Sequence, residues 1–352
     1  MNSSVDNGLA AQLRWQASAC AALGSPFYAT ILERLAEDVE ADGVTARVLA
    51  GHEDDPFDSI LTLRLLGGIH RRVLSGLEPE LAAHYPSTGG DGDAEAAVAP
   101  LLAVIDAQID ELRDGLGRPP QTNEVGRAAP LVGALWHLQS IRALPVRLYE
   151  IGASAGLNLL ADRFRFETEG HVTGPPGSPV VFRDAWRGAA PRAGPQLEVV
   201  ERLGCDRSPV DPASDEGALT LMSYVWPDQT ERLDRLRGAL AIAHEIPVRV
   251  VRESAADFLA TLAPLEGTWT VVWHSVMWMY LDDGEREAVR AHIDRAGAEA
   301  GERGPLAHVA FEAPALTAES GIGFEVSVRT WPGGAERLLG HAPAHGLPVE
   351  WA

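Results

Sequence analysis

The chain is 352 residues long, which predicts two domains, or one large domain with an added subdomain. Hydrophobic residues make up 46% and charged residues 22%, a globular composition, and 29 basic against 50 acidic residues give a formal net charge of −21. Such a surface repels phosphate backbones and anionic membranes, which argues against a protein built mainly to hold nucleic acid, and no run of about 18 apolar residues reads as a membrane span.

The first half reads as helices. Leu9, Leu13, Ala17 and Cys20 recur at helical spacing, as do Tyr28, Ile31, Leu32, Leu35 and Val39. Further stripes run through Leu61, Leu65, Ile69 and Val73, through Leu102, Ile105, Ile109 and Leu112, and through Leu131, Leu135 and Leu138. Loops with turn chemistry separate them, PSTGGDGD at 86–93 and GRPPQTN at 117–123. GHEDDPFD at 51–58 gathers oxygen and imidazole groups, and reads as a solvated acidic loop rather than a metal site. The opening MNSSVDNGLAAQLRWQ has no basic stretch followed by an apolar core, so no secretory leader is expected.

The second half alternates strand and helix. VRLYEI at 146–151 is β-rich, and is followed by GASAG and the helical pattern LNLLADRF. Further strands are predicted at 197–201, 248–252, 269–273 and 307–311, with helices at 230–243, 254–262 and 284–296 between them. That alternation predicts a parallel sheet covered by helices. FEVSVRTW, PGG and AERLLGHA predict a closing antiparallel hairpin, and the Gly- and Pro-rich stretch at 166–195 predicts an insertion. The predicted division is a helical domain over 1–142 and an α/β domain over 143–352.

The best chemical clue is the turn. Glu150 precedes Gly152, Ala153, Ser154, Ala155 and Gly156. Glycines allow a tight turn and close backbone approach to a ligand, and a helix starting there offers N–H groups to a carboxylate or phosphate. A purely structural turn between strand and helix is the other reading. Cys20 and Cys205, the two cysteines, lack metal-type spacing and fit a reducing cytoplasm, where the chain is expected. No lysine occurs anywhere, which removes Schiff-base and pyridoxal-phosphate chemistry, the P-loop lysine and the Tyr-x-x-x-Lys pair of short-chain dehydrogenases. Asn158 also stands where the last glycine of a dehydrogenase turn belongs.

The Glu150–Gly156 pattern resembles the D/E-x-G-x-G-x-G turn of class I S-adenosylmethionine-dependent methyltransferases, with Ser154 in place of the middle glycine. The resemblance covers about 146–351 and implies a Rossmann-like sheet, parallel with a C-terminal antiparallel hairpin, preceded by the all-helical domain. It implies S-adenosylmethionine as cofactor and a small-molecule substrate, with Glu150, Gly152, Ser154 and Gly156 at the cofactor. Asp257, just past a strand in VRVVRESAADFL, then meets the adenine amino group. Asp206 at the end of VVERLGCD is preferred as ribose partner, with Asp228 in YVWPDQTERL as alternative; an acid in a first helical turn is also favoured by the dipole. His274, ending TWTVVWHS, is the candidate general base, since an imidazole titrates near neutrality. Its other reading is a hydrogen-bonded histidine among Trp273, Trp278 and Tyr280.

Longer stretches resemble a bacterial family classed as a domain of unknown function, DUF2332. They are QTNEVGR at 121–127, LYEIGASAGLNLLADRF at 148–164, RLGCDRSPVD at 202–211, VWPDQTERLDRLRGAL at 225–240 and VVWHSVMWMYL at 271–281. That resemblance supplies no activity. Asn123, Glu124 and Arg127 read either as a substrate clamp over the glycine turn or as a helix start capped by Thr122. Asp211 reads as a substrate contact or as a turn before Pro212. The competing class for the whole chain is a non-catalytic ligand-binding protein that keeps the nucleotide fold.

Overall fold

The computed structural model describes residues 8–55, 60–117, 120–168, 171–188, 197–314 and 323–352. Residues 56–58 of the acidic loop and 189–195 of the insertion lie outside the described residues. The chain divides into two compact units, one formed by Met1–Thr122 with Asp215–Asp234, the other by Asn123–Ser214 with Arg235–Ala352.

The first unit is helical: α1 (Leu9–Ala22), α2 (Pro26–Glu40), α3 (Val44–Leu49), α4 (Leu61–Leu74), α5 (Pro79–Ala82), α6 (Ala94–Ala107), α7 (Ile109–Leu116) and the returning α9 (Asp215–Ser223). The apolar stripes of α1 to α7 form one core, in which Leu13, Leu32, Leu66, Leu101 and Ile105 are fully buried, while the stripe through Leu131, Leu135 and Leu138 belongs to the second unit. Burying such a side chain contributes about 1.5–3 kcal/mol. α2 starts at Ser25, whose hydroxyl accepts the Tyr28 N–H, with Pro26 in the first turn where no amide is needed. α6 starts where Asp93 accepts the Ala96 N–H. Trp226, from the returning segment, is part of this core.

The second unit carries a nine-stranded sheet. Its strands are β1 (Val146–Ile151), β5 (Trp186–Gly188), β6 (Val199–Asp206), β7 (Arg249–Arg252), β8 (Trp269–Ser275), β9 (Leu306–Glu312), β10 (Phe324–Trp331), β11 (Ala335–Ala342) and β12 (Val349–Trp351). The order is β5-β12-β11-β10-β9-β8-β1-β6-β7. The run β7-β6-β1-β8-β9 is parallel, β9 to β12 alternate antiparallel, and β5 joins β12 in parallel. β1 and β8 sit at the centre of the parallel run, buried along nearly their whole length, so their sequences are apolar runs and not alternations. The expected hairpin is β10–β11. The described part of the insertion holds a second sheet of β2 (Arg165–Thr168), β3 (His171–Thr173) and β4 (Val181–Arg183).

Helices α11 (Ala255–Leu259) and α12 (Asp283–Glu299) share a core with one face of the sheet, through Tyr149, Ile151, Cys205, Val272, Leu259, Val289 and Ile293. α8 (Ala128–Ile141) packs on β9 and β10. The segment from 123 to 142 shares its contacts with this unit. α10 (Thr230–Glu245) begins in the first unit and ends in the second. Among the described residues no helix is long and apolar enough to cross a membrane.

Candidate functional site

The glycine turn leaves the carboxyl end of β1. Gly152, Ser154 and Gly156 all have left-handed backbones, with φ of 68°, 52° and 74°. Ser154 therefore keeps the conformation that suits glycine while carrying a side chain, which costs an L-residue about 1–2 kcal/mol. The turn leads not into an α-helix but into a seven-residue 3₁₀ helix, Leu157–Arg163, which ends as the chain enters β2.

The amide groups of the turn are largely engaged. Ala153 N–H donates to the Cys205 carbonyl at 3.0 Å, and Gly156 N–H to the Ala153 carbonyl at 2.7 Å. Asp206, the last residue of β6, accepts the Ser154 N–H on Oδ2 at 2.9 Å and the Ser208 N–H on Oδ1 at 2.8 Å. Val210 N–H then donates to the Ser154 carbonyl, so the 206–210 loop is fastened to the turn on both sides. Asn123 Oδ1 accepts the Leu157 N–H at 2.8 Å, taking a donor of the short helix. Asn158 Nδ2 donates to the Glu124 carbonyl, and the Glu124 carboxylate accepts the Gly126 N–H. Arg127 donates to the carbonyls of Ala344 and Ser275.

Glu150 is 2% exposed and its Oε2 has no hydrogen-bond partner. Burial pushes its carboxyl up to about 8, and the nearby Asp206 adds to the rise. The Trp273 indole and the Arg127 guanidinium pull the other way, although the indole N–H completes no hydrogen bond. The structure thus gathers Glu150, Gly152, Ser154, Gly156, Asp206, Asn123, Glu124 and Arg127 around one turn.

Three further candidates have hydrogen-bond partners of their own. Asp257 is exposed and closes a capping pair: its N–H donates to Ser254 Oγ at 3.1 Å and its carboxylate accepts the Ser254 hydroxyl at 2.7 Å. Asp211 accepts the Ala213 N–H across the turn at Pro212. Asp228 belongs to the helical unit, where it accepts the Ser25 hydroxyl at 2.6 Å and the Phe27 N–H at 3.0 Å at the start of α2.

His274 points to the opposite side of the sheet from Glu150, because Glu150 is in register with Trp273 and neighbouring residues of a strand alternate. Its Nδ1 lies 2.8 Å from Glu312 Oε1 and its Nε2 2.9 Å from His308 Nε2, one facing nitrogen of the two histidines donating and the other accepting. The ring stacks on Trp278 with centroids 5.1 Å apart. His308 is held neutral: burial lowers its pKa well below the usual imidazole range, and the proximity of His274, Arg329 and Arg290 lowers it further. Glu312 and His308 are the partners that sequence reasoning missed. Their signal is weak: in LAHVAFE they are polar side chains on one face of an otherwise apolar strand, and only the register with β8 sets them beside His274. Among the described residues no group of three or more His, Cys, Asp or Glu side chains is arranged to hold a metal ion.

Fold and site together define a mixed α/β protein whose glycine turn leaves the middle strand of a parallel run within a larger, mostly parallel sheet, accompanied by a helical unit. The chain belongs to the bacterial family described as "uncharacterized protein conserved in bacteria (DUF2332)", whose model matches residues 10–351. No curated protein matches the chain.

Proposed function

We propose that the α/β unit is a Rossmann-like methyltransferase domain that binds S-adenosylmethionine at the Gly152–Gly156 turn and methylates a small molecule. The observation that carries this reading is the place of the turn. It leaves the first strand of the parallel run β7-β6-β1-β8-β9, which in chain order reads third, second, first, fourth, fifth. In doubly wound sheets of that order, ligands bind in the crevice outside the strand carboxyl ends, where the order reverses. Asp206 ends the neighbouring strand and is bonded to the turn itself.

The residues present fit such a cofactor in part. A carboxylate offers about four lone-pair sites, and Asp206 uses one on each oxygen for backbone N–H groups, which leaves capacity for the two ribose hydroxyls. Bound there, the sulfonium supplies an electrophilic methyl carbon, and the protein aligns the acceptor and removes its proton. His274 is the base in this reading. Both its ring nitrogens are engaged, so it accepts a substrate proton only after giving up its contact with His308.

A second reading, a non-catalytic ligand-binding protein that retains the fold, is favoured by one observation. A Cβ on Gly152 would lie 2.9 Å from Met277 Cβ and 3.0 Å from its Cγ, so a side chain of the protein covers the close approach that glycine permits. Calorimetric titration with S-adenosylmethionine and S-adenosylhomocysteine separates the two. The first reading expects micromolar binding, weakened at least tenfold by Asp206→Asn. Absence of heat up to about millimolar ligand, where ~4 kcal/mol of binding still registers, overturns it in favour of the second.

A further inference from the structure

The segment that covers Gly152 is held in an unusual way. It leaves β8 at Val276, a β-branched residue with φ of 51°, a conformation such residues rarely adopt. Strain of this kind persists only where surrounding contacts over-determine it. Those contacts converge on one atom. Glu312 Oε1 accepts from Met277 N–H at 3.1 Å and Trp278 N–H at 3.3 Å, and lies 2.8 Å from His274 Nδ1. Arg286 of α12 donates to the carbonyls of Trp278 and Met279, and the Arg290 guanidinium lies 5.0 Å from the centre of the Trp278 ring. Beyond these anchors Met279 and Tyr280 are more than half exposed. Met277 itself points inward, is 9% exposed, and sets its side chain against Gly152.

We propose that Glu312 is a positioning residue that latches the Val276–Leu281 segment over the glycine turn, with Met277 as the gate that a ligand displaces to reach Gly152. The gate rests on the cofactor reading above; the latch does not. Methionine suits the part, since an unbranched thioether with three rotatable bonds can swing its Cγ and Cε away from Gly152, while its Cβ, the nearest atom, moves only with the segment's backbone. The His274–Glu312 contact thereby gains a role besides proton transfer. It orients the carboxylate whose same oxygen fastens the segment.

Two measurements test the latch and the gate separately. Hydrogen–deuterium exchange over 275–281 is compared in the native protein, Glu312→Ala and Glu312→Gln. The latch expects exchange at least tenfold faster in Glu312→Ala, restored toward native in Glu312→Gln, which keeps an acceptor oxygen, with β1 and β6 unchanged in both. Unchanged exchange in Glu312→Ala overturns it. S-adenosylhomocysteine is then titrated into the native protein and Met277→Ala, a truncation that leaves the segment's backbone contacts in place. The gate expects a Kd at least fivefold lower in Met277→Ala. Equal binding overturns the gate and leaves the cofactor reading intact. Binding to neither protein, with the exchange difference present, overturns the cofactor reading and supports the latch.

Discussion

Glu150 shows how one buried group turns into a pH dependence. Its carboxyl has an ordinary value of 4.5 and is pushed up to about 8 by burial. Below the ordinary value it is neutral in both the folded and the unfolded chain and has no effect. As pH rises towards 8 the unfolded chain gives up the proton first, so stability falls through that window and then levels off. Glu150→Gln, which cannot ionise, should therefore leave stability near pH 4 nearly unchanged and raise it by roughly 4–5 kcal/mol at pH 8.5, because each pH unit separating the folded and unfolded values is worth about 1.4 kcal/mol. Urea unfolding at the two pH values reads this out. The cysteines are a simpler case: burial pushes Cys205 up to about 12 and Cys20 up to about 11, so neither is a thiolate nucleophile near neutral pH. The sequence singled out Glu150 by its spacing from the glycines, but not its unpaired oxygen, because burial by Trp273 depends on a strand more than a hundred residues away in the chain.

At the scale of elements, β1 and β6 to β11 were legible as strands, whereas β2 to β5, β12 and the short helix after the turn were not. LNLLADRF carries a helical pattern, yet it forms a 3₁₀ helix that ends as the chain enters β2 at Arg165. Its first amide is served by Asn123, which sequence reasoning gave to a substrate clamp or a helix start. Removing that side chain leaves the buried Leu157 N–H without its acceptor, a loss of about 1–3 kcal/mol. Asn123→Ala should lower stability by that amount, and Asn123→Asp, which keeps the oxygen, should restore most of it in the same denaturation experiment. The 227–229 region teaches a similar lesson. Asp228 reads as the start of its own helix, while its carboxylate serves the start of α2 instead, a pairing across two hundred residues that no local pattern encodes.

For the whole molecule, the helical half and the sheet were each visible as periodicity, while their interleaving was not, since apolar spacing reports an element's face and not its partner. The boundary matters for any shortened protein. A fragment of 143–352 lacks Asn123, Arg127 and α8, in which ten residues are buried, and it carries 215–234 without α4, on which α9 packs. Such a fragment should show no cooperative thermal transition by circular dichroism, whereas the full chain should show one. The same interleaving bears on the order in which the protein can mature on the ribosome. The first unit closes only when residues 215–234 arrive, since Trp226 fills part of its core. At about 5–20 residues per second of synthesis, the seven leading helices wait roughly 5–20 s for it. During that interval their apolar faces are unsealed while the first strands of the sheet are already emerging, which makes the nascent helical half a client for chaperones before it is a domain.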